Sequence, residues 1–188
     1  DLFTKEDNVS HLKYKKHHYL GGMAAGVLGF CIPWAVDKHG IGPEWVEVVE
    51  LDMEIPGLAD ELVDKKIVQV SDLHCSRTVS EEYLRRCVGR INAFEPDVVV
   101  LTGDFITHDL KGVFKQKAAE IAAEINSKAG VYACPGNHDY GASNVLKAKQ
   151  GHNLGRVVWE MAQRGISVLR NESKLVDLAG HRLWLVGL

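Results

Sequence analysis

Three short clusters in this 188-residue chain have residue types suited to holding metal ions: Asp72-Leu-His74, Gly103-Asp104 and Gly136-Asn137-His138-Asp139. An Asp and a His at i and i+2, leaving a strand end, can both reach one cation. Asp104 carries two oxygens, so it can bridge two cations about 3.5–4 Å apart. Asn137 offers a neutral carbonyl oxygen. Mixed nitrogen and oxygen ligation of this kind suits Mn²⁺, Fe or Zn²⁺. The glycines before Asp104 and Asn137 let the backbone turn sharply beside the ions. Taken singly, Asp72 or Asp104 reads as an ordinary turn or cap residue. The metal reading rests on their occurring together with His74 and Asn137-His138.

The surrounding pattern supplies elements that could position these clusters. Residues 66–71, 97–102 and 131–135 read as short apolar strands, and each cluster falls just past the end of one. The second is apolar almost throughout, as expected of a strand covered on both faces. Between them, Leu84, Cys87, Val88 and Ile91 recur at helical spacing over residues 80–94. Thr78 or Ser80 can cap that helix, and Glu81 follows Thr78 at capping-box spacing. Phe114, Ala118, Ile121, Ala122 and Ile125 mark a second helix ending near residues 128–130, and a third is expected near residues 145–164. Strands are expected near residues 166–169, 174–178 and 182–186, the last two flanking an Ala179-Gly180-His181 turn, with an earlier strand at residues 46–51. Strand–helix alternation with short connections specifies a layered α/β domain. In such sheets ligands bind at the carboxyl ends of the strands, where the three clusters would converge.

Composition narrows the function classes. An apolar fraction of 46% and a charged fraction of 25% are those of a globular domain. A formal net charge of −3 provides no basic excess for nucleic acid as the main partner. Cys31, Cys75, Cys87 and Cys134 form no CxxC pair, which argues against a disulfide framework or a Cys-rich zinc site. Cys75, beside a proposed ligand, reads as a small buried side chain in preference to a reactive thiol. Cys87 and Cys134 read as core.

The N-terminal region differs. Residues 1–19 are polar and basic, and residues 20–36 are uncharged, at the lower limit of the roughly 17–25 residues that span a bilayer. The segment is expected to be a membrane anchor or a signal segment. The Lys cluster before it favours a cytoplasmic N-terminus, although Lys38 lies on the other flank. Those Lys and His residues either set topology or contact anionic headgroups. Residues 37–45 read as a linker and 46–188 as the N-terminal part of the layered α/β domain. The chain starts at Asp1 and stops inside an expected strand, so the expectation is a piece of a longer protein.

The ordered series D-x-H, G-D and G-N-H-[DE], each after a strand, resembles the calcineurin-like metallophosphoesterase family. DxH or GD alone is weak; the three together are specific. The resemblance covers residues 66–140 and implies the first half of an α/β/β/α sandwich. It also implies a metal-dependent hydrolase of phosphoester or pyrophosphate bonds with two divalent ions. Asp72 and His74 would hold the first ion, Asp104 would bridge, and Asn137 would hold the second. His138 would stabilise charge or protonate the leaving oxygen as activated water attacks phosphorus in line. Ile55-Pro-Gly-Leu58 and Ile67-Val-Gln-Val-Ser-Asp-Leu-His74 are similar to the membrane-associated bacterial branch. Some members of that branch resemble UDP-2,3-diacylglucosamine pyrophosphatases of lipid A synthesis. The implied partners are a phosphorylated small-molecule or lipid substrate and the bacterial inner membrane.

Two departures stand out. The family's later His and GHxH ligands have no counterpart before Leu188; only His152 and His181 follow the third cluster. Some members carry a carboxylate three residues after the bridging Asp, to orient the catalytic His, and Thr107 stands there in this chain. Asp139, His108 or Asp109 could substitute, or the dyad is lacking. His108 is also a candidate pocket residue, and Arg77 is either a phosphate contact or a solvated loop residue. The competing function is a membrane-tethered, non-catalytic binding protein with an incomplete metal site.

Overall fold

A computed structural model describes Val46, residues 48–107, Asp109, residues 112–141 and residues 152–188. The expected hydrophobic segment at residues 20–36, its basic flank, the linker, His108 and the first part of the third helix lie outside the described residues. Among the described residues, no helix is long and apolar enough to cross a membrane. The chain divides into two compact units, residues 1–57 and 58–188.

In the first unit, the described residues of the strand expected at 46–51 form no strand. Val46 and residues 48–51 are irregular, and Val48, Val49 and Leu51 are exposed. Their β-branched character suits a pleated, half-buried surface, and no ladder among the described residues supplies one. Pro56-Gly57 form a turn, with Gly57 at φ 77°.

The second unit is built on a parallel sheet. Strands β1 (Ile67–Val70), β2 (Val98–Leu101), β3 (Val131–Ala133) and β4 (Ser167–Val168) lie in sequential order. They alternate with helices α1 (Glu81–Ala93), α2 (Val113–Ala122) and α3 (His152–Ala162). Sequential parallel strands joined by crossovers of one hand must carry their helices on one face. Two core clusters show this. Val99, Leu101 and Ala133 point into a core with Leu84, Val88 and Ile91 of α1, Ile121 of α2 and Val157 and Met161 of α3. Val98, Val100 and Tyr132 alternate to the other face. There they meet Val176, Leu178, Leu183 and Leu185 of an antiparallel hairpin, β5 (Glu172–Leu178) and β6 (His181–Gly187). The layers are therefore helices, parallel sheet, hairpin.

Local signals fix the ends of these elements. Ser80 caps α1, its side chain accepting from the Tyr83 amide. Ser80 is thus the cap that the sequence left open with Thr78, and the Thr78–Glu81 capping box does not form. Thr78 Oγ1 meets Ser76 Oγ at 3.0 Å, and Glu81 pairs with Lys117. Asp109 is buried at the start of α2 and accepts from the Gly112 and Lys115 amides at 2.8 and 2.9 Å. The hairpin turn is the two residues Ala179-Gly180, both at positive φ, as a type I′ turn requires.

Candidate metal centre

Because the sheet is parallel, the carboxyl ends of β1, β2 and β3 share one edge, and the three clusters leave from it. The loops after β1 and β2 stay zipped past the strands. The amides of Asp72, His74 and Cys75 donate to the carbonyls of Gly103, Asp104 and Phe105 at 3.1, 2.9 and 2.9 Å. Three of the expected ligands adopt left-handed backbone: Asp72 at φ 60°, His74 at 44° and Asp104 at 54°. Such positions cost on the order of 1 kcal/mol or more for non-glycine residues and concentrate at functional sites.

The two glycines serve by different means. Gly103 turns the chain at φ 90°, and a Cβ there would overlap the Gly136 backbone. Gly136 has no unusual φ, but a Cβ would overlap Asp104 Oδ1 and the Asp104 amide nitrogen. The loops after β2 and β3 thus touch backbone to backbone at Gly103 and Gly136. Asp139 locks the contact. It is fully buried, and its carboxylate accepts from the amides of Phe105 at 3.0 Å, Ile106 at 3.3 Å and Gly136 at 2.9 Å. Burial pushes the Asp139 carboxyl up from its usual range, with the backbone amides opposing.

The resulting geometry gathers His74, Asp104 and His138, whose ligating atoms all lie within 4.8 Å of one another. His74 Nε2 faces Asp72 Oδ1 at 3.3 Å and Asp104 Oδ2 at 3.8 Å. Asp104 Oδ1 instead accepts from the His138 amide at 2.9 Å. The His74 and His138 rings meet edge to face with centroids 4.9 Å apart. Ser71 Oγ donates to Asp72 Oδ2 at 2.5 Å, steadying the most solvent-open of these carboxylates. Asn137 is exposed in the turn that carries His138.

These donors fit a divalent cation. An imidazole lone pair turned toward two carboxylates is repelled unless positive charge stands between them. A proton on Nε2 satisfies one carboxylate; a divalent ion satisfies the nitrogen and both oxygens together. The set is nitrogen and oxygen throughout, as borderline and harder metals prefer. The described thiols take no part: burial pushes Cys75 up to about 11, and Cys134 is raised by burial and by Asp139.

The remaining candidates lie elsewhere or take other roles. His181 Nε2 meets Glu61 at 3.2 Å, and His152 opens α3. Arg77 is exposed. Of the proposed substitutes for an orienting carboxylate, Asp139 and Asp109 are both occupied by backbone amides. His138 Nδ1 faces the Thr107 carbonyl at 3.2 Å instead. The Thr107 hydroxyl stands 3.1 Å from His74 Nδ1 and 3.4 Å from the His74 carbonyl. Sequence reasoning finds Thr107 only as a departure; its contacts to both histidines have no sequence signal.

The chain is similar in sequence to known proteins. The family model for calcineurin-like phosphoesterase matches residues 65–186. A UDP-2,3-diacylglucosamine pyrophosphatase LpxG of Chlamydia muridarum is 28% identical over 150 residues, 75% of this chain and 45% of that protein. An uncharacterized metallophosphoesterase of Campylobacter jejuni is 33% identical over 60% of this chain and 29% of its own length. A transmembrane protein with metallophosphoesterase domain from Danio rerio is 32% identical over 53% of this chain and 22% of its length. The chain thus spans less than half the length of each of these relatives. No solved structure matches it significantly.

Proposed function

The chain belongs to the calcineurin-like phosphoesterase family, and on that premise we propose that it contributes to a two-metal hydrolase of phosphoester or pyrophosphate bonds. Asp72 and His74 would hold one divalent ion, Asp104 would contribute to both, and Asn137 would hold the second. Mn, Fe and Zn all suit this donor set. Ions held there would supply Lewis-acid activation of water and positive charge for the phosphoryl oxygens.

The chain's own groups supply orientation and proton handling. The observation that carries the reading is the division of the Asp104 carboxylate. Oδ2 faces His74, while Oδ1 holds the His138 backbone. One residue therefore fixes the metal side of the site and the placement of the catalytic imidazole. A carbonyl can only accept, so the Thr107 carbonyl keeps the His138 proton on Nδ1 and leaves Nε2 as the ring's other working atom. When Nε2 is protonated as well, His138 stabilises charge on the phosphoryl group or hands that second proton to the leaving oxygen.

The finer substrate reading is a pyrophosphate in a nucleotide-linked lipid such as UDP-2,3-diacylglucosamine. The name of the Chlamydia relative supports it, and so does the uncharged run at residues 20–36 as an inner-membrane anchor. The test uses the full-length protein with a chromogenic phosphodiester and with UDP-2,3-diacylglucosamine. Metal-dependent cleavage is expected, with Asp104→Asn abolishing it and His138→Ala lowering kcat by about 10²–10⁴-fold. Full activity in both variants would overturn the site. Cleavage of the diester but not of the lipid would overturn only the substrate.

A further inference from the structure

Thr107 touches both histidines through different atoms. Its hydroxyl lies 3.1 Å from His74 Nδ1 and 3.4 Å from the His74 carbonyl. Its own carbonyl lies 3.2 Å from His138 Nδ1. The two partners have unlike chemistry. A carbonyl accepts only, so His138 keeps a proton on Nδ1. A hydroxyl carries one proton and two lone pairs, so it can give a hydrogen bond to His74 Nδ1 or take one from it.

His74 needs that freedom. With Nε2 protonated and facing Asp72, Nδ1 is an acceptor and the Thr107 hydroxyl donates to it. With Nε2 engaged by a cation, Nδ1 carries the proton. The hydroxyl then accepts from Nδ1 and turns its own proton to the His74 carbonyl, already within 3.4 Å. A carboxylate in this place could serve only the second form.

We propose that Thr107 is the positioning residue of the centre, its hydroxyl serving His74 in either tautomer and its carbonyl fixing His138 in one. The inference rests on the metal assignment made above. It implies that metal capture moves the His74 proton from Nε2 to Nδ1 while His138 stays as it is. The net proton count on His74 does not change, and solvent carries the transfer.

Histidine-labelled chain, held above the ordinary imidazole pKa of about 6.5, reports the tautomers through long-range ¹H–¹⁵N spectra. Without metal, His74 is expected as Nε2–H and His138 as Nδ1–H. Saturation with Zn²⁺ should convert His74 to Nδ1–H. Thr107→Val should weaken Zn²⁺ binding by about 10–100-fold, as loss of a ligand-orienting partner does. Thr107→Ser should restore most of the affinity, and thermal unfolding of all variants checks that the fold is kept. If Thr107→Val unfolds, the tautomers of the parent and the serine variant still decide. An unchanged His74 tautomer on Zn²⁺ saturation, or parental affinity in a folded Thr107→Val, would overturn the proposal. Asp104→Asn separates the two levels: if it too leaves Zn²⁺ binding intact, the metal assignment itself fails.

Discussion

At the scale of single residues, the centre depends as much on what is missing as on what is present. Gly136 is not at positive φ, yet any Cβ there would occupy the place of the Asp104 carboxylate and amide. Gly136→Ala should therefore destabilise the fold by about 1–3 kcal/mol, the usual cost of overpacking, and weaken metal binding as Asp104 is displaced. Gly89, exposed in the middle of α1 with open space where a Cβ would stand, is the control. Gly89→Ala should stabilise by about 0.5–1 kcal/mol and leave metal binding alone. Denaturant unfolding and Zn²⁺ titration of both variants check this, and equal effects at the two positions would contradict it. That His74, Asp104 and His138 come together was readable from their types and their places just after strands. The roles of Asp139 and Thr107 were not readable. Asp139 acts as a buried acceptor for three amides from two loops, and only the approach of those loops brings the amides together.

At the scale of elements, packing faces were legible and ends were less so. The spacing of Leu84, Val88 and Ile91 gave the buried face of α1 directly, and all three lie in the core. The start of α1 was ambiguous because Thr78 and Ser80 have equal capping chemistry; the backbone places Ser80 at the cap, and Glu81 turns away to Lys117. Residues 46–51 show the limit of propensity, since a run rich in Val forms a strand only where a partner ladder exists. A link between helices was also invisible in the sequence. Glu160 of α3 is buried and is held by Arg156 at 2.6 Å and Arg164 at 2.7 Å, while Arg164 reaches Glu120 of α2 at 3.2 Å. Burial works to raise the Glu160 pKa, but the two arginines prevail and hold it below its ordinary value of 4.5. A carboxylate with a depressed folded pKa stabilises the fold above its unfolded pKa and loses that contribution as pH falls through the folded value. Thermal stability should therefore decline below about pH 4.5 in the parent, with a smaller decline in Glu160→Gln. Identical pH profiles for the two proteins would contradict this account.

At the scale of the whole molecule, sequential parallel strands do the organising. They place three helices on one face and three loop clusters on one edge, so residues 74, 104 and 138 meet although they are far apart in the chain. That much follows from strand–helix alternation and from clusters falling just after strands. The layer order is also consistent with the α/β sheet expected from the pattern. The hairpin contributes its inner face to the second core and leaves Leu175, Trp184 and Val186 exposed on its outer face. The proposed function makes this edge a metal site organised around Asp104. Crystals of the chain soaked in Mn²⁺ and measured for anomalous scattering test it most directly. The account predicts a peak within about 2.0–2.3 Å of both His74 Nε2 and an Asp104 carboxylate oxygen, typical first-row metal–ligand distances, and its loss in Asp104→Asn. A Mn²⁺ peak elsewhere, with none between His74 and Asp104, would contradict it.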